Sequence, residues 1–201
     1  MEIIFYTQRV EVIESYNERR DCADQKIPEF IKACGFLSMP LPNNKRLVEE
    51  ILSVIRPIGI ILTGGNSLVK YGGNAPERDE TDSLLLEYAV QNRVPVYGFC
   101  RGMQSILDYF GNDLENVKGH VAVRHNIVGT EVSREVNSYH NQACLELKNN
   151  SLEVIMKAED GVIEKVRHKD LPIVGTMWHP ERESDFKNED INLIKELMGG
   201  K

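Results

Sequence analysis

Apolar residues along this chain follow two alternating rhythms. Short continuous runs, Ile3-Ile4-Phe5-Tyr6, Ile58-Gly59-Ile60-Ile61-Leu62, Val94-Pro95-Val96-Tyr97 and Ile173 to Trp178, have the length and β-branched content of strands buried on both faces. Between them lie residues at helical spacing. Ile27, Phe30, Ile31 and Cys34 share one face, with Gly35 as a stop. Leu47, Val48, Ile51, Leu52 and Ile55 form a stripe closed by Pro57. Leu84, Leu85, Tyr88 and Ala89, then Met103, Ile106, Leu107 and Phe110, and finally Phe186, Ile191, Ile194 and Leu197 predict three more helices. Leu41-Pro42-Asn43-Asn44 reads as a turn, and Tyr71 to Arg78 as a polar loop. Strand–helix alternation predicts an α/β three-layer sandwich with a mostly parallel central sheet. From Val117 to Val166 the rhythm changes. Val121-Ala122-Val123 and Leu152 to Met156, separated by Gly, Asn and Asp turns, predict a small antiparallel section. No repeat, low-complexity tract or linker divides residues 1–201, which read as a single domain.

Charge narrows the partners. The chain of 201 residues carries 24 Lys and Arg against 31 Asp and Glu, a balance that argues against nucleic acid or an anionic membrane as partner. The four cysteines, Cys22, Cys34, Cys100 and Cys144, form no Cys-x-x-Cys pair and suggest reduced thiols. The start, Met1-Glu2-Ile3-Ile4-Phe5-Tyr6, lacks the basic and long apolar regions of a signal peptide, and no run reaches the roughly 20 apolar residues of a membrane span. A cytoplasmic protein is expected.

One stretch carries chemistry. Gly98-Phe99-Cys100-Arg101-Gly102 follows a strand run and opens a helical stripe. Glycines two residues either side of a nucleophile let strand and helix crowd together at a sharp elbow. At a helix N-terminus the dipole and free backbone N–H groups favour thiolate over thiol. Of the five histidines, His179 in Met177-Trp178-His179-Pro180-Glu181 ends an apolar strand, where parallel sheets place functional groups. Glu181, two residues on in an extended segment, can lie beside it and orient the imidazole. The backbone N–H of Arg101 and the Gly64-Gly65 pair after the second buried strand are candidate oxyanion donors. His120 and His125, five apart in a β-prone run, are expected to face opposite ways without a third ligand, so no metal site is expected. Arg9, Arg19, Arg20 and Arg78 read as solvated charges. Arg9 nonetheless follows the end of the first strand, and an arginine cluster there would suit a phosphorylated group.

Four ordered motifs, Thr63-Gly64-Gly65, Gly98 to Gln104, Val136 to Gln142 and Trp178-His179-Pro180-Glu181, together resemble class I glutamine amidotransferase-like proteins, and more narrowly the peptidase C26 branch of γ-glutamyl hydrolases. The resemblance implies a flavodoxin-like core, a Cys100–His179–Glu181 triad and an oxyanion hole from Gly65 and Arg101. It also implies substrate contacts from Gly64, Gln104 and the Tyr139-His140-Asn141 segment, with Arg9, Arg19 and Arg20 as candidates for a phosphate. No cofactor or metal is implied. The partner implied is a small-molecule γ-glutamyl substrate, and a homodimer is compatible with it. Short members of the branch make a nucleotide-linked γ-glutamyl amidate (γ-glutamyl-CDP-amidate, in capsule phosphoramidate synthesis) the favoured substrate. The alternatives are γ-glutamyl-γ-aminobutyrate, from putrescine catabolism, and a glutaminase subunit that delivers ammonia to a synthase.

Overall fold

The buried apolar runs assemble one sheet. The computed structural model describes residues 2–129 and 133–199. In chain order the strands and helices are β1 (Ile3–Tyr6), β2 (Arg9–Ile13), β3 (Glu18–Cys22), α1 (Lys26–Ala33), β4 (Leu37–Pro40), α2 (Lys45–Val54), β5 (Gly59–Leu62) and α3 (Pro76–Asn92). There follow β6 (Val96–Phe99), α4 (Arg101–Tyr109), β7 (Glu115–Asn116), β8 (Val121–Val128), β9 (Ser133–Tyr139), β10 (Gln142–Ala143), β11 (Leu152–Ala158), β12 (Ile163–His168), β13 (Ile173–Thr176) and α5 (Asn188–Gly199). The nine-stranded sheet runs β4-β1-β5-β6-β13-β12-β11-β8-β9. Its first five strands are parallel, and numbered in chain order they follow 2-1-3-4-5, the flavodoxin-like winding. The remaining four continue it antiparallel.

Alternation along each strand decides which helix it meets. Ile4, Tyr6, Ile61, Tyr97 and Phe99 turn to one face, where Ile27, Phe30 and Ile31 of α1 and Ile194 and Met198 of α5 cover them. Phe5, Ile60, Leu62 and Val96 turn to the other, under Val48 of α2, Leu85 and Ala89 of α3, and Met103 and Ile106 of α4. Two apolar layers therefore clamp the sheet, and the C-terminal ends of β1, β5, β6 and β13 open on one rim. Asn44, expected in a turn, caps α2 by accepting from the N–H of Leu47 at 3.1 Å. No helix among the described residues is long and apolar enough to cross a membrane.

Two elements depart from the expected pattern. Arg9–Ile13 and Glu18–Cys22 pair as an antiparallel hairpin outside the main sheet, and the last residues of the expected polar loop, Pro76 to Arg78, already belong to α3, with Pro76 at its first position.

Candidate active site

Cys100 sits between β6 and α4 with φ 51° and ψ −111°, a conformation that costs an L-residue roughly 1–3 kcal/mol and marks a site held by its surroundings. Two contacts hold it: the Cys100 N–H donates to the carbonyl of Thr176 on β13 at 2.8 Å, and its own carbonyl accepts from the Gln104 N–H at 3.1 Å. The flanking glycines are steric requirements. A Cβ on Gly98 would lie 2.6 Å from the backbone of Gly102, and one on Gly102 would enter the Leu62 carbonyl. Strand, helix and neighbouring strand thus meet at backbone contact, as the elbow reading expects.

His179 follows β13 in an extended conformation, and the single helical turn Pro180–Arg182 brings Glu181 under it. The His179 Nδ1 and Glu181 Oε1 lie 2.7 Å apart, both side chains almost fully buried. The Cys100 thiol and the His179 imidazole are close enough to shift each other's titration. Burial opposes the imidazolium, but Cys100, then Glu181, outweigh it and push His179 up to about 9. Burial equally opposes the thiolate. The His179 charge and hydrogen bond, with help from the Arg101 backbone N–H, overcome that and hold Cys100 below its ordinary value. The pair is therefore biased toward thiolate and imidazolium.

Several groups frame the imidazole. Phe99 and Tyr139 rings each lie 5.5 Å from it, edge-on. Asn137 clamps its backbone on both sides: the side-chain amide donates to the His179 carbonyl at 2.9 Å, and its oxygen accepts the His179 N–H at 2.9 Å. This role of Asn137 is absent from the sequence reading, though the residue lies in one of its motifs. Gly64 lies against the ring, where a Cβ would come within 2.6 Å of His179 Cε1 and 3.5 Å of Cys100 Cβ.

With this geometry in view, a sequence profile of glutamine amidotransferase class I matches residues 21–196. The gamma-glutamyl-CDP-amidate hydrolase of Campylobacter jejuni is 31% identical over 94% of each chain. The chain belongs to the class I glutamine amidotransferase family. A glutamine-hydrolysing GMP synthase subunit of Pyrococcus abyssi is 30% identical over 80% of this chain and 85% of its own. Anthranilate synthase component 2 of Methanocaldococcus jannaschii is 25% identical over 85% and 88%. The crystal structure of a GMP synthase-like subunit from Thermoplasma acidophilum superposes with a TM-score of 0.75, covering 99% of this chain and 93% of that one at 16% identity, which supports the fold.

In this amidotransferase-family chain the Thr63-Gly64-Gly65 loop is braced by a residue that the sequence reading places on the surface. Arg78 is fully buried. Its guanidinium donates to the carbonyls of Thr63 (2.7 Å), Gly64 (2.9 Å) and Gly65, and to side-chain oxygens of Thr63 and Asn66. The first turn of α3 delivers it there, which corrects the solvated-loop expectation. In a trans peptide the N–H points opposite the carbonyl, so holding the Gly64 carbonyl fixes the direction of the Gly65 N–H. Burial, and next the neighbouring Arg101, push Arg78 down to about 9, still a cation at neutral pH. The Arg101 side chain is likewise buried, paired with Asp79 and Asp82 of α3.

The expected arginine cluster does not form. In the hairpin Arg9 lies opposite Cys22, Arg20 opposite Glu11 and Arg19 opposite Val12, so strand alternation sends Arg19 to the other face from Arg9 and Arg20. Arg19 pairs with Glu77 and the Asn74 carbonyl, and Arg20 with Glu18 and Tyr16. Arg9 alone of the three lines the narrow cleft, about 20 Å³, with Thr63, Gly64, Gly65, His179 and Arg182. Gln104 is buried and donates to the Gln142 carbonyl at 2.9 Å, bracing the Tyr139-His140-Asn141 segment from below. Tyr139 is partly exposed beside His179, under the Arg182 guanidinium at 4.4 Å. Asn141 is exposed, and its carbonyl accepts from the Val117 N–H.

His120 and His125 do not face apart. The strand pairing slips between Val121 and Val123, and the extra residue, Ala122, has φ 55°. This bulge absorbs one residue, so the effective spacing becomes even and both rings fall on one side. There His120 lies 4.8 Å from His125 and from His140, ring to ring.

Proposed function

We propose that this chain is a cysteine hydrolase of γ-glutamyl amides, and that its favoured substrate is a γ-glutamyl amidate linked to a nucleotide. The contiguity of Cys100, His179 and Glu181 at a strand-to-helix elbow carries the reaction. The Cys100 thiolate adds to the γ-carbonyl, and the oxyanion that forms takes hydrogen bonds from the Arg101 and Gly65 N–H groups. As the tetrahedral species collapses, the C–N bond breaks and His179 gives its proton to the departing nitrogen. The product of this half-reaction is a γ-glutamyl thioester on Cys100. Water then adds to it, His179 taking the proton, and glutamate leaves as the thiol is restored. Glu181 holds the imidazole in register and balances its charge throughout. The backbone of Tyr139, His140 and Asn141, braced by Gln104, is suited to the amino-acid end of the glutamyl group.

Two observations support the nucleotide-linked leaving group: the extent of similarity to the Campylobacter enzyme, and Arg9 at the lip of the cleft, where a guanidinium fork matches phosphate oxygens. The likeness to GMP synthase and anthranilate synthase subunits favours a second reading, a glutaminase that passes ammonia to a partner. One assay separates them. Purified chain is offered γ-glutamyl-CDP-amidate, γ-glutamyl-γ-aminobutyrate and glutamine, with glutamate release measured. The hydrolase reading expects the amidate to be turned over with the highest kcat/KM and Cys100→Ala to be inactive. Glutamine turned over as well or better, or only after a synthase is added, would replace it with the second reading.

A further inference from the structure

Beyond the elbow, one cluster of chemically competent groups has no part in the reaction above. Glu164 of β12 is completely buried, and among the described residues neither of its carboxylate oxygens has a hydrogen-bond partner. Three imidazoles converge on its Oε1: His140 Nε2 at 3.3 Å, His125 Nε2 at 3.4 Å and His120 Nδ1 at 3.5 Å. Among the described residues those three nitrogens also lack hydrogen-bond partners, as does the second nitrogen of His140. Buried polar atoms are nearly always paired, so this many orphaned atoms in one cluster call for a physical reason. The ligand atoms of His120, His140 and Glu164 lie within 4.8 Å of one another, a group that His125 does not join.

A cation supplies that reason. Four donors at about 2.0–2.1 Å around a tetrahedral zinc ion are separated from each other by about 3.3–3.4 Å. The three nitrogen-to-oxygen separations above fall at or just beyond that edge length. The outer sphere is also in place. His120 turns its other nitrogen, Nε2, to Asp160 at 2.8 Å, the carboxylate contact that orients a metal-bound imidazole and fixes its tautomer. An entry path exists too: an open pocket of about 350 Å³ is lined by Lys118, His120, His125 and Asp160.

We propose that His120, His140 and Glu164 form a binding site for a divalent transition-metal ion, zinc by preference, with the His125 imidazole beside it. Imidazole and carboxylate donors suit that class better than the oxygen-seeking magnesium or calcium. Held by three protein ligands, the ion keeps its fourth position for water or for His125. It ties β8 and the Tyr139-His140-Asn141 segment to β12, whose Glu164 carbonyl in turn accepts the Met177 N–H at 2.8 Å. The ion thus anchors the segment that packs beside His179. This inference is independent of which amide the enzyme cleaves.

The test is metal content and metal-dependent stability of the full chain, with Cys100 alkylated so that the reactive thiol takes no part. Purified chain is stripped with chelator and then titrated with Zn2+, with Mg2+ as control and Co2+ as a spectroscopic probe. The site predicts one zinc per chain, ligand-field bands of a tetrahedral nitrogen–oxygen cobalt site, and a Tm raised by roughly 5–10 °C at free zinc a hundredfold above Kd. Glu164→Gln keeps the volume and removes the anionic ligand, and His120→Gln removes an imidazole. Each is expected to weaken zinc binding at least tenfold and to abolish the Tm shift. Zinc below a fifth of an equivalent, or zinc held equally by wild type and both variants, overturns the proposal and leaves the cluster as a protonated histidine–glutamate network. The cobalt spectrum of wild-type chain decides the matter even if a variant fails to fold.

Discussion

Replacing Arg78 by Met tests whether the Thr63-Gly64-Gly65 loop is held in working shape from beneath. The side chain bridges three consecutive backbone carbonyls and two side-chain oxygens in a site of zero exposure. A buried acceptor left without a donor costs about 1–3 kcal/mol, so three carbonyls set an upper range near 3–9 kcal/mol by that measure. Two effects reduce it. Met carries no charge to bury, and it removes the repulsion between Arg78 and Arg101 that helps lower the Arg78 pKa. A net loss of about 3 kcal/mol follows, which for a chain of this size is a Tm drop of roughly 6–12 °C. Activity is expected to fall further than stability alone explains. Freed of Arg78, the Gly64–Gly65 peptide can rotate, and losing the Gly65 N–H as the proposed oxyanion donor costs on the order of 10²–10³ in kcat with little change in KM. The assay is steady-state hydrolysis well below the variant's Tm, alongside thermal unfolding. Arg78→Met with a lowered Tm and a kcat within twofold of wild type would refute the reasoning. It would show the loop to be held instead by Asn66, whose side chain bonds both the N–H and the carbonyl of Val10.

Three further outcomes are expected. Because His179 is raised to about 9 and Cys100 lowered from 9.0, alkylation of Cys100 should reach its plateau at a pH below the ordinary thiol range, and kcat/KM should decline as the imidazolium deprotonates near pH 9. His179→Ala should move the alkylation profile upward, and overlapping wild-type and variant profiles would contradict the ion pair. Gly64→Ala should displace the His179 ring by the 2.6 Å encounter with Cε1 and lower kcat at least tenfold while Tm shifts little; unchanged kinetics would mean that the ring is free to move aside. Arg9→Ala should raise KM for a nucleotide-linked substrate several-fold yet leave a small γ-glutamyl amide unaffected, whereas Arg19→Ala, committed to Glu77 and Asn74, should change neither. Equal effects of the two variants would remove Arg9 from phosphate recognition.

The parallel core is readable because burial on both faces writes a continuous apolar run, and β1, β5, β6 and β13 all carry one. Strands that need only half a partner leave a fainter trace. β4 is the sheet edge, with Leu37 exposed and Pro40 at its end, a position where a proline forfeits no ladder bond. β3 reads Glu18-Arg19-Arg20-Asp21-Cys22 and buries almost nothing. Its pairing with β2 rests on backbone bonds and cross-strand charges, which no hydrophobic period reports.

The site divides along the same line. Cys100 and Gly102 belong to one local unit of strand, turn and helix, and His179 and Glu181 to another, so short-range spacing is enough to nominate them. The supports are non-local. Arg78 looks like any surface arginine until α3 inserts it under a loop some fifteen residues earlier in the chain, and only the tertiary arrangement supplies the five acceptors that make burying it tolerable. His120 and His125 stand at an odd interval, and a single bulge at Ala122, a residue with no intrinsic preference for positive φ, reverses the conclusion drawn from it. The proposed reacting groups are legible because the elbow and the strand ends define them within a few residues. The groups that hold them are chosen by which distant segments come to share an interior, and for those the decisive variables are register and burial.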